Sequence, residues 1–276
     1  GVEDVAVCWS DGAFVAVQDE APAEAAVEDV GDLWVLPGLV DCHVHLNEPG
    51  RTEWEGFDTA TRAAAGGGIT TVVDMPLNCI PVTTSLDALH RKFEATEGQL
   101  HVDVGFWGGV VPGNEDELAK LAEAGVLGAK AFLCHSGIDD FPNSTREDLA
   151  RAMPILRDAG IPLLAHAELD LGGPSCDSGA RTHAAWLESR PCSWEDEAIK
   201  LLIELCRENR CPVHIVHLSS ASAVPMLRAA RDEGLPITVE NCPHYLCITA
   251  GQMPEGGTEF KCAPPIRDDQ NRDELW

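Results

Sequence analysis

The chain has 276 residues, of which 45% are hydrophobic, 24% are charged and 5% are aromatic, a composition typical of a folded globular protein rather than a disordered or fibrous one. Its 46 acidic and 19 basic residues give a formal net charge of -27, which repels phosphate backbones and anionic membrane surfaces, so we expect neither nucleic acid nor membrane as a partner. The eleven cysteines are odd in number and form no C-x-x-C pair, and neither a signal peptide nor an 18-residue apolar run is visible, so we expect reduced thiols in the cytoplasm or another reducing intracellular compartment.

The first part of the chain has a β-like pattern. Two short stretches, VAVCW and FVAVQ, are separated by Asp11-Gly12 and followed by an acidic, alanine-rich segment, which predicts part of a small β-module. From Trp34 onward, short apolar runs alternate with helical periodicity. We therefore expect a partial β-module over residues 1–36 and a second domain over residues 37–276.

Seven apolar runs follow in order and predict parallel strands separated by helices. The runs are VLPGLVDCHVH, ITTVVDMP, VDVGFWGGVV, GAKAFLC, IPLLAHAE, CPVHIVHLSS and LPITVENCPHYL. Segments with helical periodicity include EDELAKLAEAG, REDLARAMPILRDAG, EDEAIKLLIELCREN and ASAVPMLRAARDEG. This alternation predicts an α/β fold, a TIM-type (β/α)8 barrel whose last βα unit is missing or displaced.

The first predicted strand carries two histidines. Side chains two residues apart point to the same face of a strand, so His43 and His45 share a face with Asp41. Imidazole binds divalent first-row metals, and a carboxylate such as Asp41 could orient one ring. An H-x-H pair alone can also be structural or incidental, but its position at the mouth of a barrel favours a metal site.

Further histidines close later strands. His166 ends the fifth apolar run and His217 ends the sixth, on the face where barrel active sites form. Either ring alone is compatible with a hydrogen-bonded core histidine. His214 lies three residues before His217, so we expect it to point away from the interior and not to be a ligand.

Lys130 lies inside the apolar fourth run, GAKAFLC. A cation is costly there unless it is paired, reaches the strand end or is chemically altered. A buried lysine with a depressed pKa could also act as a nucleophile and capture carbon dioxide as a carbamate, an anionic ligand able to bridge two metals.

Together these segments resemble a known superfamily. The residues LPGLVDCHVHLNEPGRTEWEGF, AGGGITTVVDMPLN, GAKAFL, LLAHAEL, HIVHLSSAS, ENCPHYL and FKCAPPIR are similar to the amidohydrolase superfamily, in its dihydroorotase-like branch of cyclic amidases and, within that branch, to the allantoinase family. The similarity extends in order from about Trp34 to the end of the chain.

The resemblance implies a binuclear metal-dependent hydrolase. It makes His43 and His45 ligands of one metal, His166 and His217 ligands of the other, and Lys130 the carboxylated bridge. The implied cofactors are two divalent ions, with zinc as the first expectation and manganese, cobalt or iron as alternatives. A hydroxide bridging the metals would attack the ring amide.

One element of the family pattern has no match here. The resemblance implies a general-base aspartate at the end of an eighth strand, and we find no matching motif before Trp276. Asp268, Asp269 and Asp273 lie in a polar stretch and are not candidates. We therefore expect the chain as given to be a fragment with little or no activity.

The substrate prediction depends mainly on one residue. Dihydroorotase-like enzymes usually carry arginine in an HxHxREPG motif, where it pairs with a substrate carboxylate. Asn47 occupies that position in HVHLNEPG and suits a small neutral substrate. This favours ring opening of allantoin to allantoate, in purine (ureide) catabolism, over dihydroorotase or hydantoinase/dihydropyrimidinase activity.

Four further residues are candidate substrate contacts, each with a structural alternative. Asn78 could instead cap a turn, His135 is placed only by its position just beyond Lys130, Ser219 could instead begin a helix, and His244 could instead support the metals. The remaining alternative for the whole chain is a non-catalytic dihydropyrimidinase-like scaffold. The family resemblance also implies a homo-oligomer.

Overall fold

The computed structural model describes residues 4–173 and 181–276. The chain divides into two compact units, Gly1–Pro37 and Gly38–Trp276. The first contains an antiparallel hairpin of β1 (Ala6–Ser10) and β2 (Ala13–Gln18). Asp11 and Gly12 form its turn with φ of 53° and 77°, as a two-residue hairpin connection of this type requires.

The second unit is built on eight strand segments that form seven barrel positions. The segments are β3 (Leu39–Val44), β4 (Ile69–Asp74), β5 (Asp103–Phe106), β6 (Gly108–Gly109), β7 (Ala129–Phe132), β8 (Leu163–His166), β9 (Val213–Ile215) and β10 (Ile237–Val239). Only Trp107 separates β5 from β6, and its backbone N–H donates to the Asp74 carbonyl at 3.0 Å. These two segments therefore form one strand position.

The barrel strands are parallel and lie in chain order. One sheet has the order β3-β4-β5 and the other β6-β7-β8-β9-β10. Each of the seven apolar runs forms its predicted strand, which confirms the α/β class of the TIM-barrel type. Among the described residues, no backbone ladder joins β10 to β3.

Helices connect the strands. Within the described ranges they are α1 (Phe57–Gly66), α2 (Leu86–Thr96), α3 (Glu115–Glu123), α4 (Arg146–Asp158), α5 (His183–Ser189), α6 (Cys192–Asn209), α7 (Val224–Asp232), α8 (Pro243–Cys247) and α9 (Asp269–Leu275). The four segments with predicted helical periodicity correspond to α3, α4, α6 and α7. None of these helices has the length and apolar character needed to cross a membrane.

The largest apolar core lies between the helices and the barrel strands. Leu149 and Met153 of α4 pack with Leu202 of α6 against Val213 and Ile215 of β9, all of them buried. Residues of β9 therefore alternate, with Val213 and Ile215 facing the helices and His214 facing the other side.

The cysteines agree with the expectation of reduced thiols as far as the structure describes them. The ten cysteines within residues 4–173 and 181–276 are free. The eleventh, Cys176, lies outside the described residues.

Candidate active site

His43 and His45 stand at the carboxyl end of β3. Their ring centroids are 5.8 Å apart, in keeping with the two-residue period of a strand. Asp41, the carboxylate that could orient one of these rings, instead accepts the backbone N–H of His43 at its Oδ1, at 3.0 Å. The ring partner of His43 is Glu240, whose Oε1 is hydrogen-bonded to Nδ1.

His166 and His217 meet at the ends of β8 and β9. His166 Nδ1 lies 3.1 Å from His217 Nε2, and the His166 ring stacks on Phe132 at a centroid distance of 4.7 Å. The His43 and His217 ring centroids are 5.3 Å apart. The two sheets therefore bring histidines of three strand ends into one cluster.

Lys130 is the lysine that lies close enough to this cluster to lower the pKa of all four histidines. It is 1% exposed, and its Nζ lies 5.0 Å from the Phe132 ring centroid. Burial lowers the pKa of Lys130 to about 7, against the opposing influence of Glu240 and Cys242. A lysine so placed has a substantial uncharged fraction near neutral pH.

Burial also makes the histidines neutral. It is the largest cause of the lowered pKa of His43, His166 and His217, and it lowers the pKa of His45 to about 3. The charge of Lys130 contributes in the same direction to all four. At neutral pH each ring therefore keeps one nitrogen lone pair.

A buried carboxylate supports His166. Glu168 is fully buried, its Oε2 lies 2.6 Å from His166 Nε2, and Arg190 pairs with both of its oxygens. Burial opposes ionisation of Glu168, but His166 and Arg190 outweigh it and lower its pKa to about 2. Ligand atoms of Cys134, His166 and Glu168 lie within 4.8 Å of one another. The sequence signal for Glu168 is its position two residues after His166 on the same strand end.

Two asparagines border the histidine cluster. Asn78 Nδ2 lies 3.3 Å from His45 Nδ1. Asn47 is 8% exposed, and its Oδ1 is buried without a hydrogen-bond partner among the described residues. Both have positive φ, 62° for Asn47 and 70° for Asn78, a conformation that asparagine tolerates better than most residues.

Among the described residues, the side chains of the other three candidate substrate contacts form no hydrogen bond with the histidine cluster. His135 is exposed, and its Nδ1 accepts the Gly137 N–H at 3.0 Å. The buried Ser219 hydroxyl donates to the Pro265 carbonyl at 2.7 Å. His244 packs on Tyr245, and its Nε2 is buried with no partner in the described part of the chain.

His214 departs from its expected orientation. It pairs in register with Leu164 of β8, which itself pairs with Lys130 of β7, so its side chain shares the face of Lys130 instead of pointing away from it. Its Nε2 lies 3.2 Å from Glu240 Oε2. The expectation failed because it extended the strand period through His217, where φ is 42° and the strand has ended.

A buried ion pair lies behind the strand ends. Asp74 and Lys92 are each 1% exposed in their side chains and are joined at 2.5 Å, while Asp74 Oδ1 accepts the Leu46 N–H at 2.8 Å. Leu46 lies between His45 and Asn47, so the pair ties their backbone to β4 and α2. The helical position of Lys92 did not indicate this contact, because its partner is eighteen residues away.

Comparison with known proteins finds a family model, several curated relatives and several solved structures that match the chain. The model of the amidohydrolase family matches residues 34–250. The allantoinase of Saccharomyces cerevisiae is 50% identical over 91% of this chain and 56% of its own length, and that of Streptomyces avermitilis is 49% identical over 100% of this chain and 63% of its own. The L-hydantoinase (dihydropyrimidinase) of Arthrobacter aurescens superposes with a TM-score of 0.87 at 28% identity, covering 100% of this chain and 63% of that structure. The chain thus spans 56–63% of these proteins.

Proposed function

Because the chain belongs to the amidohydrolase family, whose members generally use a divalent metal, we propose that the protein carrying it hydrolyses a cyclic amide at the histidine cluster, by ring opening of allantoin to allantoate. Curated relatives named allantoinase, at 46–50% identity over about nine-tenths or more of the chain, support this substrate.

The observation that carries the proposal is the convergence of four neutral histidines around a buried lysine. These residues come from β3, β7, β8 and β9 and stand at or near the carboxyl ends of parallel strands, where barrel enzymes assemble their active sites. Packing alone gives no reason for four separate segments of sequence to bring four imidazole rings and a lysine to one place. A metal centre explains them together.

The donor set fits divalent cations. His217 Nδ1 is buried without a partner in the described ranges, and burial keeps all four rings uncharged. We propose His43 and His45 as ligands of one cation, His166 and His217 as ligands of the other, and carboxylated Lys130 as the ligand they share. Zinc is the proposed metal, with manganese, cobalt and iron as alternatives.

The bound cations would polarise the amide carbonyl and activate water near neutral pH. The residues around them have separate tasks. Glu168 accepts a hydrogen bond from His166 Nε2 and thereby leaves the lone pair of the same ring on Nδ1, the nitrogen that faces His217, while Arg190 fixes Glu168. The general base that the family resemblance implies is an aspartate of an eighth strand, so the proposal concerns the longer protein.

Asn47 supports a neutral substrate. Its unpartnered Oδ1 can accept an N–H of a hydantoin ring or a ureido group, and Asn78 offers an amide beside His45. A carboxylate substrate such as dihydroorotate would find no cation at Asn47. We also propose a reducing intracellular compartment, in line with the ten free thiols of the described residues. The family resemblance is the basis for proposing a homo-oligomer.

The test is an activity and metal assay on the full-length protein. After purification with zinc and bicarbonate we expect allantoate from allantoin, about two metals per chain and a carbamate signal on ¹³C-bicarbonate labelling. Lys130→Ala should lose the carbamate and the activity, whereas Lys200→Ala, at an exposed lysine on α6, should keep both.

Other outcomes correct the proposal at different levels. Opening of dihydroorotate or hydantoin without opening of allantoin would leave a cyclic amidase with a different substrate. Absence of metal and of every ring-opening activity would identify a non-catalytic scaffold.

A further inference from the structure

The carboxylate of Glu240 lies where three strand ends meet. Glu240 follows β10, and its side chain is 19% exposed. Its Oε1 is hydrogen-bonded to His43 Nδ1 and accepts the backbone N–H of His217 at 3.3 Å. Its Oε2 lies 3.2 Å from His214 Nε2. One side chain therefore contacts histidines of β3 and of the β9 segment.

Glu240 is itself held in place. Its backbone N–H donates to the Ile215 carbonyl at 3.0 Å, and its carbonyl accepts the Leu218 N–H at 2.9 Å. His214 is fixed from its other side by Thr238, whose Oγ1 lies 2.7 Å from Nδ1. These contacts fix the position of the Glu240 carboxylate relative to β9 independently of His43.

The direction of the hydrogen bond between His43 and Glu240 determines the tautomer of the His43 ring. A carboxylate can only accept, so the nitrogen that faces it carries the hydrogen. Nδ1 of His43 is then the donor, and Nε2 is the nitrogen with the free lone pair. Asp41 cannot impose this arrangement, because it contacts the backbone of His43 and not its ring.

We propose that Glu240 is a positioning residue of the metal centre: it selects the His43 tautomer with hydrogen on Nδ1, directs Nε2 to a divalent cation, and holds the His217 segment at the same time. Carboxylates that hydrogen-bond the second nitrogen of a metal-binding histidine act in this way. The inference rests on the proposed function for the presence of the cation, but its tautomer assignment does not need one.

The first experiment measures the tautomer directly. In the metal-free full-length protein, ¹⁵N-detected histidine spectra should show His43 with hydrogen on Nδ1. Glu240→Gln should mix the two tautomers, because an amide can present either its oxygen or its NH₂ group. Asp41→Asn is the matched control, since it removes one negative charge next to His43 without touching the ring, and its spectrum should match that of the parent.

The second experiment measures zinc affinity by competition with a chromophoric chelator. Glu240→Gln should weaken one of the two zinc equivalents by about 10- to 100-fold, while Asp41→Asn should stay close to the parent. If Glu240→Gln does not fold, Glu240→Asp keeps the charge but shortens the side chain, and the same loss is expected.

The outcomes separate the two claims. A parent protein with hydrogen on Nε2 of His43, or a Glu240→Gln variant with unchanged tautomer and zinc affinity, would overturn the role of Glu240 and leave the proposed function standing. A parent protein that binds no zinc would overturn the proposed metal centre, and the tautomer spectra would still decide whether Glu240 orients His43.

Discussion

At the scale of single residues, the site depends on burial acting differently on cations and on paired acids. Desolvation disfavours charge, so it lowers the pKa of His45 to about 3 and that of Lys130 to about 7. Glu168 is as deeply buried but keeps its charge, because His166 and Arg190 bind it. The same environment thus produces neutral nitrogen donors beside a fixed anion.

Glu168 gives a stability prediction with a defined pH window. Its pKa is lowered from 4.5 to about 2, so its contribution to folding is complete above about pH 4.5 and is lost as the pH falls towards 2. In chelator-treated protein, Glu168→Gln should lower the unfolding free energy by about 3 kcal/mol at neutral pH, because the partly buried Arg190 loses its ionic partner.

Urea unfolding at several pH values measures this difference. The gap between parent and Glu168→Gln should be constant from neutral pH down to about 4.5 and should narrow below it. Glu197→Gln, at an exposed position on α6, should show no such pH-dependent gap. A difference in unfolding free energy between parent and Glu168→Gln that widens below pH 4.5 would contradict the lowered pKa of Glu168.

At the scale of elements, strand period and helix packing have separate effects on the site. The two-residue period of β3 brings His43 and His45 together, as the sequence indicates. The backbone beyond β3 is held by Asp74 of β4, which in turn is held by Lys92 of α2. A helix on the outside of the barrel therefore supports the segment that contains His45 and Asn47.

A double-mutant cycle tests this support. Asp74→Asn and Lys92→Met should each lower the unfolding free energy by about 3–5 kcal/mol, because each leaves a buried charge without its partner. The double variant should lose clearly less than the sum of the two. Additive losses of unfolding free energy would show that Asp74 and Lys92 stabilise the protein independently and not through their ion pair.

The matched control is the exposed pair Asp87–Arg91 on the same helix, with side chains 76% and 59% exposed. Exposed ion pairs contribute little to stability because water and salt screen them. The cycle of Asp87→Asn and Arg91→Met should therefore show no measurable coupling.

At the scale of the whole molecule, the proposed ligands come from both sheets. His43 belongs to the three-stranded sheet, whereas Lys130 and His166 belong to the five-stranded one. A ligand that binds only the folded state stabilises it, by about 2.7 kcal/mol at a hundred times its dissociation constant. Metal binding should thus stabilise both sheets together.

Thermal unfolding with and without zinc measures this effect. Zinc should raise the midpoint of the parent protein, and hydrogen exchange should slow in both β4 and β8. His217→Asn should lose most of the increase, whereas His90→Asn, at an exposed histidine of α2, should retain it. Slower exchange in one sheet alone would argue against a centre shared by the two.

The sequence by itself determined the order of seven parallel strands and the strand-end positions of His43, His45, His166 and His217. These follow from local rules, since hydrophobic period and short-range spacing decide which residues form a strand and which face they share. The positions of Asn47 just beyond β3 and of Asn78 beyond β4 likewise followed from the sequence.

Only the tertiary structure decided which groups support the cluster. Glu240 contacts His43 across 197 positions, and Glu168 meets Arg190 across 22, so no local period relates them. The same limit explains His214, whose partners Thr238 and Glu240 are 24 and 26 residues away. Hydrogen bonds between distant segments are set by packing of the whole barrel, and strand period alone does not specify them.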